Sequence, residues 1–201
     1  MPVNYLLFII FPIFGYICGS LPFSIWVTRY VKGVDVRAAG SGHATTTNTI
    51  RQAGFGWGAL VLALDIAKGF LPVYLVAYWG ASTLLIALTA ACAVIGHCWP
   101  VFAQFRGGMG LACAGGCIFA VDFVAGLIGL AILIALVLII HHGARASVAT
   151  GLALAPVYYL IGRGEPIIWL SAGVGIVIAF RFLIDWNRQY QELWLDREKT
   201  K

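Results

Sequence analysis

L-A-C-A-G-G-C-I-F-A-V-D-F-V-A-G-L-I-G-L-A-I-L-I-A-L-V-L-I-I, residues 111–140, is an apolar run broken by one charge, Asp122. As a single helix it would extend about 45 Å, well beyond the ~30 Å hydrocarbon core of a bilayer. As two helices it becomes a pair of short crossings that turn at Asp122. The choice sets the parity of every later segment, and the basic residues decide it. With two crossings, Arg29, Lys32, Arg37, Arg51, Arg106, Arg145, Arg181, Arg188, Arg197, Lys199 and Lys201 fall on one side. Lys68 then lies inside a span, and only Arg163 falls opposite. With one crossing the basic tail would leave the side that holds Arg37 and Arg106. Lys and Arg accumulate on the cytoplasmic face, so two crossings are predicted.

Working outward, apolar runs predict spans near 5–27, 57–79, 83–103, 111–121, 124–140, 147–162 and 166–184. The expected fold class is an all-α integral membrane protein, one domain of seven transmembrane helices, N-terminus out and C-terminus in. Residues 29–56 form a cytoplasmic loop and 185–201 a cytoplasmic tail. Composition agrees: of 201 residues 61% are hydrophobic and 10% charged, too few charges to cover a water-soluble domain. The net charge of +5 follows from topology, so no nucleic-acid partner is expected. The run from Tyr5 to Val27 has no basic residue before it and no small-residue cleavage pattern after it, and reads as a retained span. Cys18, Cys92, Cys98, Cys113 and Cys117 fall in or beside spans and read as small residues at helix contacts, with no disulfide and no metal site expected. No internal repeat stands out, which weakens the commonest transporter architectures.

Polar residues gather in three segments on the predicted cytoplasmic face: F-R-G-G-M-G at 105–110, H-H-G-A-R-A-S at 141–147, and R-A-A-G-S-G-H-A-T-T-T-N-T-I-R at 37–51. In the last, Arg37 and Arg51 bracket Ser41, four threonines, His43 and Asn48. That collection suits a phosphorylated ligand, and equally a solvated loop resting on lipid headgroups. Asp65 and Lys68 stand at i, i+3 inside the second span, as a structural ion pair or as part of a site. F-R-G-G-M-G at 105–110 precedes a predicted helix start, whose free N–H groups can hold an anion; the glycines equally suit a tight turn. His97, in I-G-H-C-W-P, is either an interhelical hydrogen bonder or a catalytic group. No Walker loop, Ser-His-Asp order or H-E-x-x-H pair occurs, so chemistry without a covalent protein intermediate is expected.

The order of motifs resembles the bacterial acyl-phosphate:glycerol-3-phosphate acyltransferases, the PlsY family, over nearly the whole chain. The matching residues are G-S-L-P-F (19–23), K-G-V-D-V-R (32–37), G-S-G (40–42), T-N (47–48) and Arg51. They continue with L-D-I-A-K-G (64–69), G-H-x-x-P-V-F (96–102) and F-R-G-G-x-G (105–110). The resemblance implies seven helices and transfer of an acyl group from acyl phosphate to the 1-hydroxyl of glycerol 3-phosphate, with no cofactor. It implies a bacterial inner-membrane protein, its active site facing the cytoplasm, in contact with membrane lipids and peripherally associated with an enzyme that makes acyl phosphate. Arg37 and Ser41 match the first motif's essential pair and, with His97, are expected in catalysis. His43, Asn48, Arg51, Lys68 and Arg106 are expected to bind substrate. So are Gly107, Gly108 and Gly110, which match the glycerol-phosphate loop, and Ser147, which matches a serine after the fifth span.

The departures are specific. The family's G-S-G-N-x-G-A-T-N reads G-S-G-H-A-T-T-T-N here, and the lysine of its G-G-K-G is Met109. Its H-R-E-N aligns with F-L-I-D, Phe182 to Asp185, which replaces the histidine and asparagine held to be functional. Phosphate affinity is expected to fall unless Lys68, Arg145 or Arg181 compensates. Two alternatives follow: a degenerate paralogue that binds lipid or acyl phosphate without turnover, and a small transporter built on Asp65 and Lys68.

Overall fold

The computed structural model describes residues 5–187, so the tail cations Arg188, Arg197, Lys199 and Lys201 lie outside the described residues. The described residues form α1 (Leu7–Gly19), α2 (Phe23–Lys32), α3 (Thr46–Ala53), α4 (Phe55–Tyr78), α5 (Thr83–Cys98), α6 (Leu111–Val121), α7 (Phe123–Ile140), α8 (Gly143–Leu160) and α9 (Glu165–Leu183). Single 3₁₀ turns at Val36–Ala38 and Val101–Ala103 complete the set.

Asp122 divides the 111–140 run. Its backbone is extended (φ −148°, ψ 107°), and its carboxylate accepts the Ala125 N–H at 2.9 Å, capping α7. The other carboxylate oxygen pairs with Arg163 at 3.2 Å, joining that turn to the α8–α9 turn. The expected span 5–27 is not one helix. It breaks at Ser20–Pro22, because Pro22 has no N–H to donate and disfavours helical backbone at Leu21. The break leaves the Leu21 carbonyl free to accept the Lys68 ammonium at 2.8 Å. The expected loop 29–56 contains the end of α2 and all of α3, which opens on the Thr45 hydroxyl accepting the Asn48 N–H at 3.2 Å.

Among the described residues, five segments are long and apolar enough to cross a membrane: the α1–α2 pair, α4, α5 through its 3₁₀ turn, α7 and α9. α6 is apolar but shorter. Small residues bring the helices together. A side chain at Gly175 would overlap Gly151 across α8–α9, and one at Gly19 would overlap Ala93 across α1–α5. Gly69 and Gly116 do the same across α4–α6. Cys113 and Cys117 lie buried at these contacts as free thiols, their Sγ atoms 3.6 Å from the Ala93 carbonyl and 3.5 Å from that of Gly69. α7 departs from this pattern: only Ala125, Gly126 and Gly129 in its first turns are buried, and the rest of the helix is not.

Candidate active site

The loop after α2 is built around Arg37. Asp35 accepts the Arg37 backbone N–H and Nε at 3.0 Å each and Nη2 at 2.8 Å, and accepts Arg29 at 2.8 Å. Hydrogen bonds from Arg37 hold the Asp35 carboxyl well below the usual carboxylate range, and Asp35 in turn raises the guanidinium. The remaining Arg37 nitrogen, Nη1, donates to the carbonyls of Ala103 (2.8 Å) and Arg106 (3.2 Å). Arg37 therefore fastens the glycine loop to its own segment. Asn48 behaves similarly. Fully buried, its Nδ2 donates to the carbonyls of Val36 (2.7 Å), Ala39 (3.0 Å) and His43 (3.1 Å), giving residues 36–44 their curvature.

The glycine loop lies against the end of α5. The N–H of Gly107 donates to the Cys98 carbonyl at 3.2 Å and that of Gly108 to the His97 carbonyl at 3.1 Å. The Gly107 carbonyl accepts Ala44 N–H, and the Gly108 carbonyl accepts Arg181 Nε, both at 3.2 Å. These two glycines were expected to bind substrate; their N–H groups join the loop to α5. Gly108 serves a close approach, since a side chain there would strike the His97 imidazole. Gly110 is left-handed (φ +87°) and starts α6, which has no side-chain cap. The N–H groups of this motif that the loop does not use are thus those at the N-terminus of α6, an arrangement suited to an anion.

Behind the loop, Asp65 is buried and accepts Lys68 Nζ at 2.8 Å, with His97 Nδ1 3.7 Å from the same oxygen. Lys68 Nζ also sits 5.6 Å from the centre of the Phe23 ring. At the rim, Asp185 lies 3.2 Å from His43 Nε2 and 3.0 Å from Arg181 Nη1. The pairing with His43 crosses from loop to α9 end and had no local signature, whereas Arg181 and Asp185 stand at i, i+4.

Ser41, Thr45, Thr46, Thr47, Arg51, Asp65, His97, Gly110 and Ser147 line the polar end of a cavity of about 690 Å³, in the range of roughly 300–1,000 Å³ usual for ligand sites. Its walls continue between α6, α7, α8 and α9, past Ala114, Ile118, Leu130, Leu133, Leu154 and Val174. Arg37, His43, Asn48, Lys68, Arg106, Gly107 and Gly108 do not line it. Lys68, Gly107 and Gly108 border a separate small void, and the Arg106 side chain is exposed. Ser147 donates to the Gly143 carbonyl at 2.8 Å from the cavity wall. Thr150 and Ser171 also line the cavity and were not anticipated; the Ser147–Thr150 spacing i, i+3 was the available signal. Met109 and Phe182, where the family pattern has lysine and histidine, are buried and line the cavity.

The three cations expected to compensate are engaged elsewhere. Lys68 holds Asp65, Arg181 holds Gly108 and Asp185, and Arg145 lies 5.4 Å from the Trp186 ring. Arg51 is the arginine that lines the cavity, and its buried Nε has no hydrogen-bond partner among the described residues. The arrangement suits an amphipathic ligand: an arginine, hydroxyls and a helix N-terminus for a phosphate, an imidazole beside them, and apolar walls for a chain.

The family model for glycerol-3-phosphate acyltransferase matches residues 9–194. The chain belongs to the glycerol-3-phosphate acyltransferase family. Glycerol-3-phosphate acyltransferase 2 of Thermotoga maritima is 36% identical over 152 residues, covering 76% of this chain and 78% of that protein. The glycerol-3-phosphate acyltransferase of Rubrobacter xylanophilus is 37% identical over 166 residues, covering 77% and 83%. The fold matches crystal structures of PlsY (YgiH), an integral membrane glycerol 3-phosphate acyltransferase, in its glycerol 3-phosphate and lysophosphatidic acid forms. Each has a TM-score of 0.79 and 30% identity over 90% of both chains. Like PlsY, this acyltransferase-family chain is an integral membrane protein, and the regular elements among its described residues are all helices.

Proposed function

We propose that the protein transfers a fatty acyl group from an acyl phosphate to the 1-hydroxyl of glycerol 3-phosphate, forming lysophosphatidic acid and inorganic phosphate for phospholipid synthesis. The observation that carries this reading is one continuous cavity, polar around Arg51, His97 and the start of α6 and apolar between α6 and α9. The acceptor oxygen forms a bond to the acyl carbonyl carbon while the carbon–oxygen bond to phosphate breaks. A mixed anhydride leaves readily, so the protein mainly positions two anions and stabilises developing charge. His97 accepts the hydroxyl proton. Asp65, itself balanced by Lys68, steadies the imidazolium. Arg51 and the α6 N-terminus bind phosphate, with Ser41 and Ser147 supplying hydroxyls. Arg37, Asn48 and the Gly107–Gly108 pair hold the loops in register, while His43 and Asp185 tie the loop to α9. Arg106 attracts the anionic substrates from the exposed side.

The reading includes seven crossings, the N-terminus out and the C-terminus in, with the cavity's polar end facing the cytoplasm from a bacterial inner membrane. The one-sided distribution of Lys and Arg supports it. Peripheral association with an enzyme that makes the reactive acyl phosphate fits the same face. Purified protein given palmitoyl phosphate and radiolabelled glycerol 3-phosphate should yield labelled lysophosphatidic acid; folded protein that yields none refutes the reaction. Cysteines introduced at His142 and Gly162 should be labelled from opposite sides of sealed vesicles, and labelling from one side refutes the topology.

A further inference from the structure

The cavity has a floor, and the helices that wall it reach that floor at one depth. Its lining runs from Gly143 to Leu154 on α8, from Phe182 back to Ser171 on α9 and from Val137 back to Gly126 on α7. Each is an eleven-residue interval, about 16–17 Å at helical rise. On α6 it runs from Gly110 to Phe119, about 13–14 Å. Those depths approximate one leaflet, half of the ~30 Å hydrocarbon core.

Below this depth the helices close up around the Asp122 turn. The Phe119 ring packs against Gly126, where any side chain would overlap it. Tyr158, fully buried, donates its hydroxyl to the Ala125 carbonyl at 2.7 Å and crowds Gly129. Above it, α7 has no buried residue from Leu130 onward, and Leu130, Leu133 and Val137 line the cavity.

We infer that Phe119, seated on Gly126, is the stop that sets the longest acyl chain the enzyme accepts. The inference rests on the acyl-transfer reading above. Phe119 acts by excluding the chain's terminal methylenes, and each methylene that gains or loses a buried place changes transfer roughly fourfold. Gly115 offers an independent probe. It lines the cavity about 7–8 Å along α6 from Gly110, and a Cβ there meets nothing within 4 Å. A large side chain at Gly115 enters the cavity without displacing protein atoms near the backbone.

The test compares lauroyl, palmitoyl and eicosanoyl phosphate as donors for the purified wild type, Phe119→Ala, Phe119→Leu and Gly115→Phe. Phe119→Ala should raise eicosanoyl transfer relative to palmitoyl by about tenfold or more, and Phe119→Leu by less. Gly115→Phe should lower palmitoyl relative to lauroyl transfer by about tenfold or more. Active variants whose ratios all stay within about twofold of wild type overturn the inference and leave the reaction standing. Folded wild type inactive with all three donors overturns the reaction itself. If Phe119→Ala fails to fold, Phe119→Leu and Gly115→Phe decide the matter.

Discussion

Replacing Arg51 by alanine removes the arginine that lines the cavity while leaving both loops fastened, because Arg51 makes none of the bonds that hold residues 36–44 or 103–108. Its buried Nε has no hydrogen-bond partner among the described residues, so the binding reading assigns that donor to a substrate phosphate. A hydrogen bond to a charged group contributes about 1.5–3 kcal/mol, which is roughly 10- to 150-fold in kcat/KM. Arg51→Lys keeps the charge but loses the fork of donors, so its loss should be intermediate. The assay is initial-rate lysophosphatidic acid formation with each substrate varied in turn, and the substrate whose KM rises names the phosphate that Arg51 holds. Arg37→Ala provides the contrast, since it should lower the melting temperature as well as the rate by releasing Asp35 and the carbonyls of Ala103 and Arg106. A folded Arg51→Ala enzyme within about threefold of wild type in both kcat/KM values would refute the assignment of this donor to substrate.

Asn48→Ala should destabilise the fold by about 2–3 kcal/mol. It removes one donor from each of the Val36, Ala39 and His43 carbonyls, which keep Gln52 Nε2 and the Thr45 N–H. It also removes the Oδ1 that accepts the Ser41 N–H. KM values of the folded fraction should stay unchanged, and a selective rise in one KM would return Asn48 to the substrate. His97→Ala should cost about 10²- to 10⁴-fold in kcat with little effect on KM, as expected of a proton acceptor; a loss below about tenfold would argue against that role. Asp35 has a folded pKa held below its unfolded value of about 3.9. Its stabilisation is therefore complete above that value and disappears as pH falls through the range beneath it. Melting curves at descending pH should show wild type losing stability below about pH 4 more steeply than Asp35→Asn. Parallel curves would remove Asp35 from the account.

The division of residues 111–140 was legible because the run is too long for one crossing and carries a lone carboxylate at which the basic residues fix the turn. Asp122 ends α6 by capping α7. The glycine loop before α6 and the i, i+3 pair Asp65–Lys68 were readable because each depends on a few neighbouring residues. The break at Leu21–Pro22 had its signal in the proline, yet the length and apolarity of the run concealed it.

What only the tertiary structure decided is which polar groups remain available to a ligand. Arg37 reaches carbonyls 66 and 69 residues away, and Arg181 reaches one 73 residues away. Every residue carries such a carbonyl, so no side chain in the sequence announces the partner. For that reason the sequence alone could gather arginines, hydroxyls and glycines into one candidate site. The folded chain separated Arg37, Asn48, Gly107 and Gly108, which hold that site in shape, from Arg51, Ser41, His97 and the start of α6, which line it.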